Sequence, residues 1–382
     1  MPVAPERFRD WDAWISDIKN IEGLSETEKR EAMESLSLLR ELFGEDFLER
    51  AFERRHPIIW LLVNYASWTR RFLIWLARTL DALKSCENFE RLLNGLRSEK
   101  TYDHTLIEAD FAYRFMNAKF DVELYPKIEG GKEADLKIIN PETSEKFYVE
   151  ITSLGPSKYE RDVMNSFSSI SDLLLTALLS KLIWAGKVHK YVSEPHLAEV
   201  LSTIENAIQR AQTKGFAEVI EEGTLEIAIA TEGNRSLLEK WASERGLRVG
   251  ELHGPSLNVN ELLRLAGKIE KEQKQLCKGA LNILIVWVKT PLLFLSRRGD
   301  VREVINFLEE YIYKHEHLAF CCICSSYLSV DDQIHLVHNQ HLYVKRRRKN
   351  GLIEESMVLV NRFAKGRISL NSYSKIVRAL MS

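Results

Sequence analysis

ADLKIINPETSEKFYVEITSL, residues 134–154, holds two short apolar runs around an Asn-Pro turn signal. Set as an antiparallel hairpin, the register that pairs Leu136 with Val149 and Ile138 with Phe147 buries one consistent apolar face. The same register puts Asp135 opposite Glu150 on the other face. Two carboxylates facing each other across a ladder repel and raise one another's pKa, so the pairing is unfavourable without compensation. A divalent cation compensates, and Mg2+ or Mn2+ takes carboxylate oxygens together with waters. Thr152 shares the face of Glu150 and offers a hydroxyl to a water or a phosphate oxygen. Lys137 shares the face of Asp135, and a diagonal pair with Lys137 is the plain structural alternative for Glu150.

Upstream, DHTLIEADFAYRFMNAKF (103–120) places Ile107, Phe111, Ala112, Phe115 and Met116 on one helical face. Glu108 on this helix has two readings: a site carboxylate, or the far half of a capping box begun at Thr105. DVELYPKI then supplies a strand ahead of the hairpin. Further upstream, SETEKREAMESLSLLRELFG opens on Ser25 with Glu28 three residues on and closes at Gly44, a capping box and a C-terminal glycine. Trp- and Arg-rich amphipathic helices follow, in which Arg70 and Arg71 read as packing and surface.

Downstream, helices are expected over 167–186 and in EPHLAEVLSTIENAIQRAQTKG, and a hairpin turning near Gly223 in AEVIEEGTLEIAIAT. A Lys-rich helix precedes NILIVWV, a continuous apolar run suited to a central strand. A helix over 301–314, the buried strand LAFCCICSSYL and two strands flanking a basic run complete an α/β fold with a mixed sheet and flanking helices. The expected organisation is an all-helical N-terminal domain over 1–100 and an α/β domain over 101–382, with a helical and hairpin insertion around 187–260 and a basic C-terminal part.

A net charge of −2 says little about partners, but its distribution is uneven. Residues 342–382 carry Lys345, Arg346, Arg347, Arg348, Lys349, Arg362, Lys365, Arg367, Lys375 and Arg378 against Glu354 and Glu355. The run KRRRKNG reads either as a solvated hairpin tip turning at Asn350-Gly351 or as a contact to the phosphates of DNA. The five cysteines have no framework spacing, the N-terminus has no apolar core, and the longest apolar stretches are broken by charges, so a cytoplasmic protein is expected. Cys321, Cys322 and Cys324, with His315, His317, His335, His338 and His341 nearby, raise a zinc site. Alternation nonetheless sends Cys321 to the opposite face from the other two, as buried strand cysteines require. No Walker loop, HExxH, GxSxG or dinucleotide fingerprint is present, which excludes those enzyme classes.

The order helix with Glu, strand, GGKEAD, strand, VEIT, helix, strand resembles the PD-(D/E)XK nuclease superfamily, the restriction-endonuclease-like fold. The resemblance covers 103–152 well and 160–290 loosely. It implies an α-β-β-β-α-β core and catalytic positions at Glu108, Asp135 and Glu150, with metal held by Asp135 and Glu150. The family's lysine position falls on Thr152, a departure, for which Lys137, Lys271 or Lys274 are candidate replacements. The expected function is Mg2+- or Mn2+-dependent hydrolysis of DNA phosphodiester bonds. In it Glu108 assists, Thr152 positions water or metal, and Lys345, Arg346, Arg347, Arg348 and Lys349 bind the backbone. The alternative is a catalytically degenerate nuclease fold serving as a nucleic-acid or protein binding module; a purely scaffolding role is a third.

Overall fold

The structure, a computed structural model, describes residues 9–128, 131–255, 261–289, 301–327, 336–339, 342–349 and 352–382. In chain order the elements begin with helices α1 (Trp11–Asp17), α2 (Glu26–Phe43), α3 (Phe47–Glu53), α4 (Pro57–Val63), α5 (Ser67–Leu83), α6 (Phe89–Arg97) and α7 (Tyr102–Asn117). Strands β1 (Asp121–Leu124), β2 (Leu136–Ile139) and β3 (Lys146–Leu154) follow. Next come α8 (Lys158–Leu179), β4 (Leu182–Val188), α9 (Glu194–Lys214), β5 (Phe216–Glu221), β6 (Leu225–Thr231), α10 (Arg235–Ser243) and β7 (Leu252–His253). The chain continues through α11 (Glu261–Gln273), β8 (Leu281–Val288), α12 (Val301–Ile312), β9 (Leu318–Tyr327), β10 (Leu336–Asn339), β11 (Leu342–Lys349) and β12 (Leu352–Val360). It ends with α13 (Arg362–Lys365) and α14 (Leu370–Met381).

The chain forms two compact units, one of 1–155 with 261–382, the other of 156–260. The larger unit is an α/β fold around a mixed sheet in the order β1-β2-β3-β8-β9-β12-β11-β10. β8 runs parallel to both β3 and β9, while the remaining neighbours are antiparallel. Being central and covered on both faces, β8 is apolar from Ile283 to Val288, as a parallel core strand must be, and its buried Asn282 donates to the carbonyls of Cys277 and His317.

Alternation along the strands divides the core in two. Leu136, Ile138, Phe147, Val149, Ile151, Ile283, Ile285, Cys322 and Cys324 face a cluster that runs on through α1–α7 and α14. Leu154, Leu284, Val286, Cys321 and Ile323 face the opposite way, onto Leu265 and Ile269 of α11 and Leu308 and Ile312 of α12. The helices before residue 100 thus share one continuous hydrophobic core with the sheet.

Local signals start and stop these elements. Ser25 and Glu28 form the reciprocal capping box of α2, and Gly44, with φ of 95°, ends it. Buried Arg70 donates to the carbonyls of Leu61 and Leu62, each at 2.7 Å, satisfying the open end of α4. Gly95 of α6 lies so close to α7 that a Cβ there would sit 2.5 Å from Thr105 Oγ1. The hairpin register is that of the sequence reading, Leu136 opposite Val149 and Ile138 opposite Phe147. The turn between β2 and β3 is tied to α14, because the Glu145 carboxylate accepts from the Ser369 amide at 2.7 Å and from the hydroxyls of Ser369, Ser372 and Thr143.

The smaller unit has its own four-stranded sheet, β5-β6-β4-β7, and its own core. One expectation fails here: the helix placed at 167–186 runs from Lys158 to Leu179, and 182–188 is strand β4. A Ser157–Glu160 capping box starts α8 earlier than its apolar period suggests. Lys181, with φ of 56°, turns the chain into β4. The hairpin at Gly223 and the helix closing at Gly215 are as expected. Among the described residues no helix is long and apolar enough to cross a membrane.

The basic run also lies otherwise than expected. Lys345, Arg346, Arg347, Arg348 and Lys349 are inside strand β11 and not in a loop between strands, with Arg346 opposite Glu355 and Arg347 opposite Glu354 in the ladder. Their side chains, and the Asn350-Gly351 turn, lie outside the described residues.

Candidate metal centre

Helix α7 begins at Tyr102 with Thr101 at its N-cap, so Thr105 is already inside the helix and Glu108 is no capping residue. That corrects the structural alternative for Glu108. One turn separates His104 from Glu108, which puts both on one side of the helix. His104 Nε2 lies 3.1 Å from Glu108 Oε1. The other carboxylate oxygen, Oε2, accepts from the Tyr125 hydroxyl at 2.6 Å. Tyr125 follows β1 with φ of 52°, a left-handed conformation that bulky side chains rarely adopt. Arg91 covers its ring with the guanidinium 4.1 Å from the centroid, and the Tyr125 amide donates to the Asp135 carbonyl at 2.8 Å. A strained residue therefore ties the helix glutamate to the strand aspartate.

Asp135 stands at a bend just ahead of β2, where the ladder to β3 has not yet begun. Its Oδ2 accepts from the Ile151 amide at 2.6 Å and so takes the place of a ladder carbonyl. Burial, then the Glu108 carboxylate, pushes the Asp135 carboxyl up to about 7, against the opposing pull of the Ile151 amide and His104. Glu150 is 8% exposed, and burial followed by the charges of Asp135 and Glu272 pushes it up to about 8. Among the described residues its carboxylate has no hydrogen-bond or ion-pair partner, only the more distant charge of Lys132. An unpaired carboxylate at that depth is costly.

Three expectations about lysine are corrected. Lys137 holds Glu123 at 2.6 Å, its partner across the β1–β2 ladder, and is paired neither with Glu150 nor with Asp135. Lys271 and Lys274 are exposed. Instead Lys268 comes within 2.9 Å of Glu272 Oε1, the same oxygen that the Thr152 hydroxyl approaches at 3.5 Å. Thr152 thus faces α11, whose Lys268 brings a positive charge beside the threonine.

Glu272 and His104 escaped the sequence reading. The signal for Glu272 was a charge on the buried stripe of α11, three residues beyond Ile269 and seven beyond Leu265. The signal for His104 was its four-residue spacing from Glu108 on the same helix.

The ligand atoms of His104, Glu108 and Asp135 all lie within 4.8 Å of one another. The structure groups Asp135 with the helix residues more tightly than with Glu150, which flanks the group. The donor set of carboxylates and imidazole, next to a buried carboxylate without a counter-charge, fits a divalent cation. No other such grouping occurs among the described residues. Cys321 faces one core and Cys322 and Cys324 the other, the alternation expected of strand cysteines, and burial pushes the Cys321 thiol up to about 12. His335 and His341, and the side chain of His338, lie outside the described residues.

Comparison of the chain with protein-family models, with curated proteins and with solved structures finds no match.

Proposed function

We propose that the protein is a divalent-cation-dependent hydrolase of phosphodiester bonds, with DNA as substrate, built on a restriction-endonuclease-like core. The observation that carries this reading is Glu150, buried one strand away from Asp135 and without a hydrogen-bond or ion-pair partner among the described residues, beside the group of His104, Glu108 and Asp135. A bound divalent cation supplies a water of lowered pKa and neutralises charge on the phosphoryl oxygen. Asp135, Glu108 and His104 are the residues that hold it. Glu150 would accept a hydrogen bond from the attacking water through a carboxylate that has no hydrogen-bond or ion-pair partner among the described residues. Lys268 offsets the negative charge of the α11 side, where the family's lysine is replaced by Thr152. The basic sequence of β11, five consecutive cations from Lys345 to Lys349, supports a nucleic-acid partner because lysine and arginine neutralise backbone phosphates.

A second reading, a nuclease fold that binds nucleic acid without cutting it, is favoured by Thr152, whose hydroxyl faces Glu272 in place of an ammonium group. Incubation of linear, nicked and single-stranded DNA with Mn2+ or Mg2+ separates the two. Cleavage by the native chain that is absent in Asp135→Ala supports hydrolysis. Retention of DNA without cleavage supports the binding module. A chain that neither cuts nor retains DNA refutes both.

A further inference from the structure

We infer that the site takes a first-row transition cation through the His104 imidazole, in preference to Mg2+. The inference rests on the metal-dependent reading above and identifies the cation. Mg2+ is a hard ion that takes oxygen ligands and releases its waters reluctantly, whereas an imidazole nitrogen suits the borderline ions later in the series. An all-oxygen site would therefore favour Mg2+, and a mixed site disfavours it. Here one of the three grouped ligand atoms is a nitrogen.

The geometry suits coordination. Bonds of about 2.1 Å set ligand atoms about 3 to 4 Å apart in octahedral or tetrahedral arrangements. The His104, Glu108 and Asp135 atoms all lie within 4.8 Å of one another, and His104 Nε2 and Glu108 Oε1 already stand 3.1 Å apart. Two of the ligands are held in place already. Tyr125 fixes Glu108 Oε2 and leaves Oε1 toward His104, and the Ile151 amide fixes Asp135 Oδ2. The independent sign that a cation belongs here is Glu150, 8% exposed, without a hydrogen-bond or ion-pair partner among the described residues, and close enough to Asp135 and Glu272 to feel both charges. The competing role for His104 is an ordinary ion pair with Glu108 four residues on, which would make no distinction among cations.

Calorimetric titration of the full chain with MgCl2, MnCl2 and CoCl2 at constant ionic strength tests this, with His104→Gln and Asp135→Asn alongside. The expected result is Co2+ at least about 10-fold tighter than Mg2+ on the native chain, loss of at least about 10-fold in Co2+ affinity in His104→Gln, and little change there for Mg2+. Spin-echo modulation of bound Mn2+ reads a coordinated imidazole nitrogen on the native chain and needs no variant. Its absence, or Co2+ binding unaltered in His104→Gln but abolished in Asp135→Asn, overturns the His104 assignment while the metal-dependent reading stands. A folded native chain that binds none of the three cations overturns both.

Discussion

Glu150→Gln tests whether the pocket truly withholds solvent from that carboxylate. Glu150 ionises at about 8 in the fold and near 4.5 when exposed. Between those values the folded chain keeps a proton that the unfolded chain has already lost, so without metal its stability falls as pH rises. One such group changes stability by ~1.4 kcal/mol per pH unit, and the whole interval amounts to about 3 to 5 kcal/mol, the lower figure allowing for charge shared with Asp135. The glutamine variant cannot ionise and lacks this slope. About 2 to 3.5 kcal/mol of this falls between pH 5 and pH 8, so at ~2 °C per kcal/mol for a chain of this size the native melting temperature should fall by about 4 to 7 °C relative to the variant over that range. Thermal melts followed by circular dichroism in chelator, at unit steps of pH, read the gap directly. Below pH 4.5 both proteins carry a neutral side chain and the curves converge. A gap that stays constant from pH 5 to pH 8 would mean that Glu150 is hydrated, and the argument for a cation would lose its main support.

Tyr125→Phe removes the bond to Glu108 Oε2 and should destabilise the chain by about 1.5 to 3 kcal/mol in urea unfolding, as for other bonds to charged groups. It should also weaken cation binding, because Glu108 is then free to rotate away from His104. Gly95→Ala should cost about 1 to 3 kcal/mol by forcing α6 off Thr105, and adding Thr105→Ala should recover most of it; equal losses in the single and double variants would deny the close crossing. Glu145→Ala removes the acceptor shared by Ser369, Ser372 and Thr143 and should speed amide exchange in α14 at least about 10-fold, with exchange in α2 unchanged.

Much of the β2–β3 hairpin was legible in residues 134–154, because side chains on a strand alternate with a period of two and only one register buries Leu136, Ile138, Phe147 and Val149 together. Capping was legible where its pattern is short and local, as at Ser25–Glu28, and misleading at Thr105–Glu108, where the N-cap is Thr101, four residues earlier. The end of α8 was misplaced because an apolar run reads alike as buried helix and buried strand.

The sequence by itself determined the register of the hairpin that carries Asp135 and Glu150, since pairing register is a matter of nearest neighbours and of which face is buried. It also determined that the three strand cysteines part to opposite faces. Tertiary structure alone decided the company of the acids: that Tyr125 holds Glu108, that the Thr152 hydroxyl approaches Glu272, and that Asp135 comes within 4.8 Å of the ligand atoms of His104 and Glu108. Those choices depend on elements distant in the chain arriving at one place. Contacts between elements act over a few ångströms, so they are set by where the packed helices and strands lie, whereas pairs four residues apart on one helix follow from spacing alone.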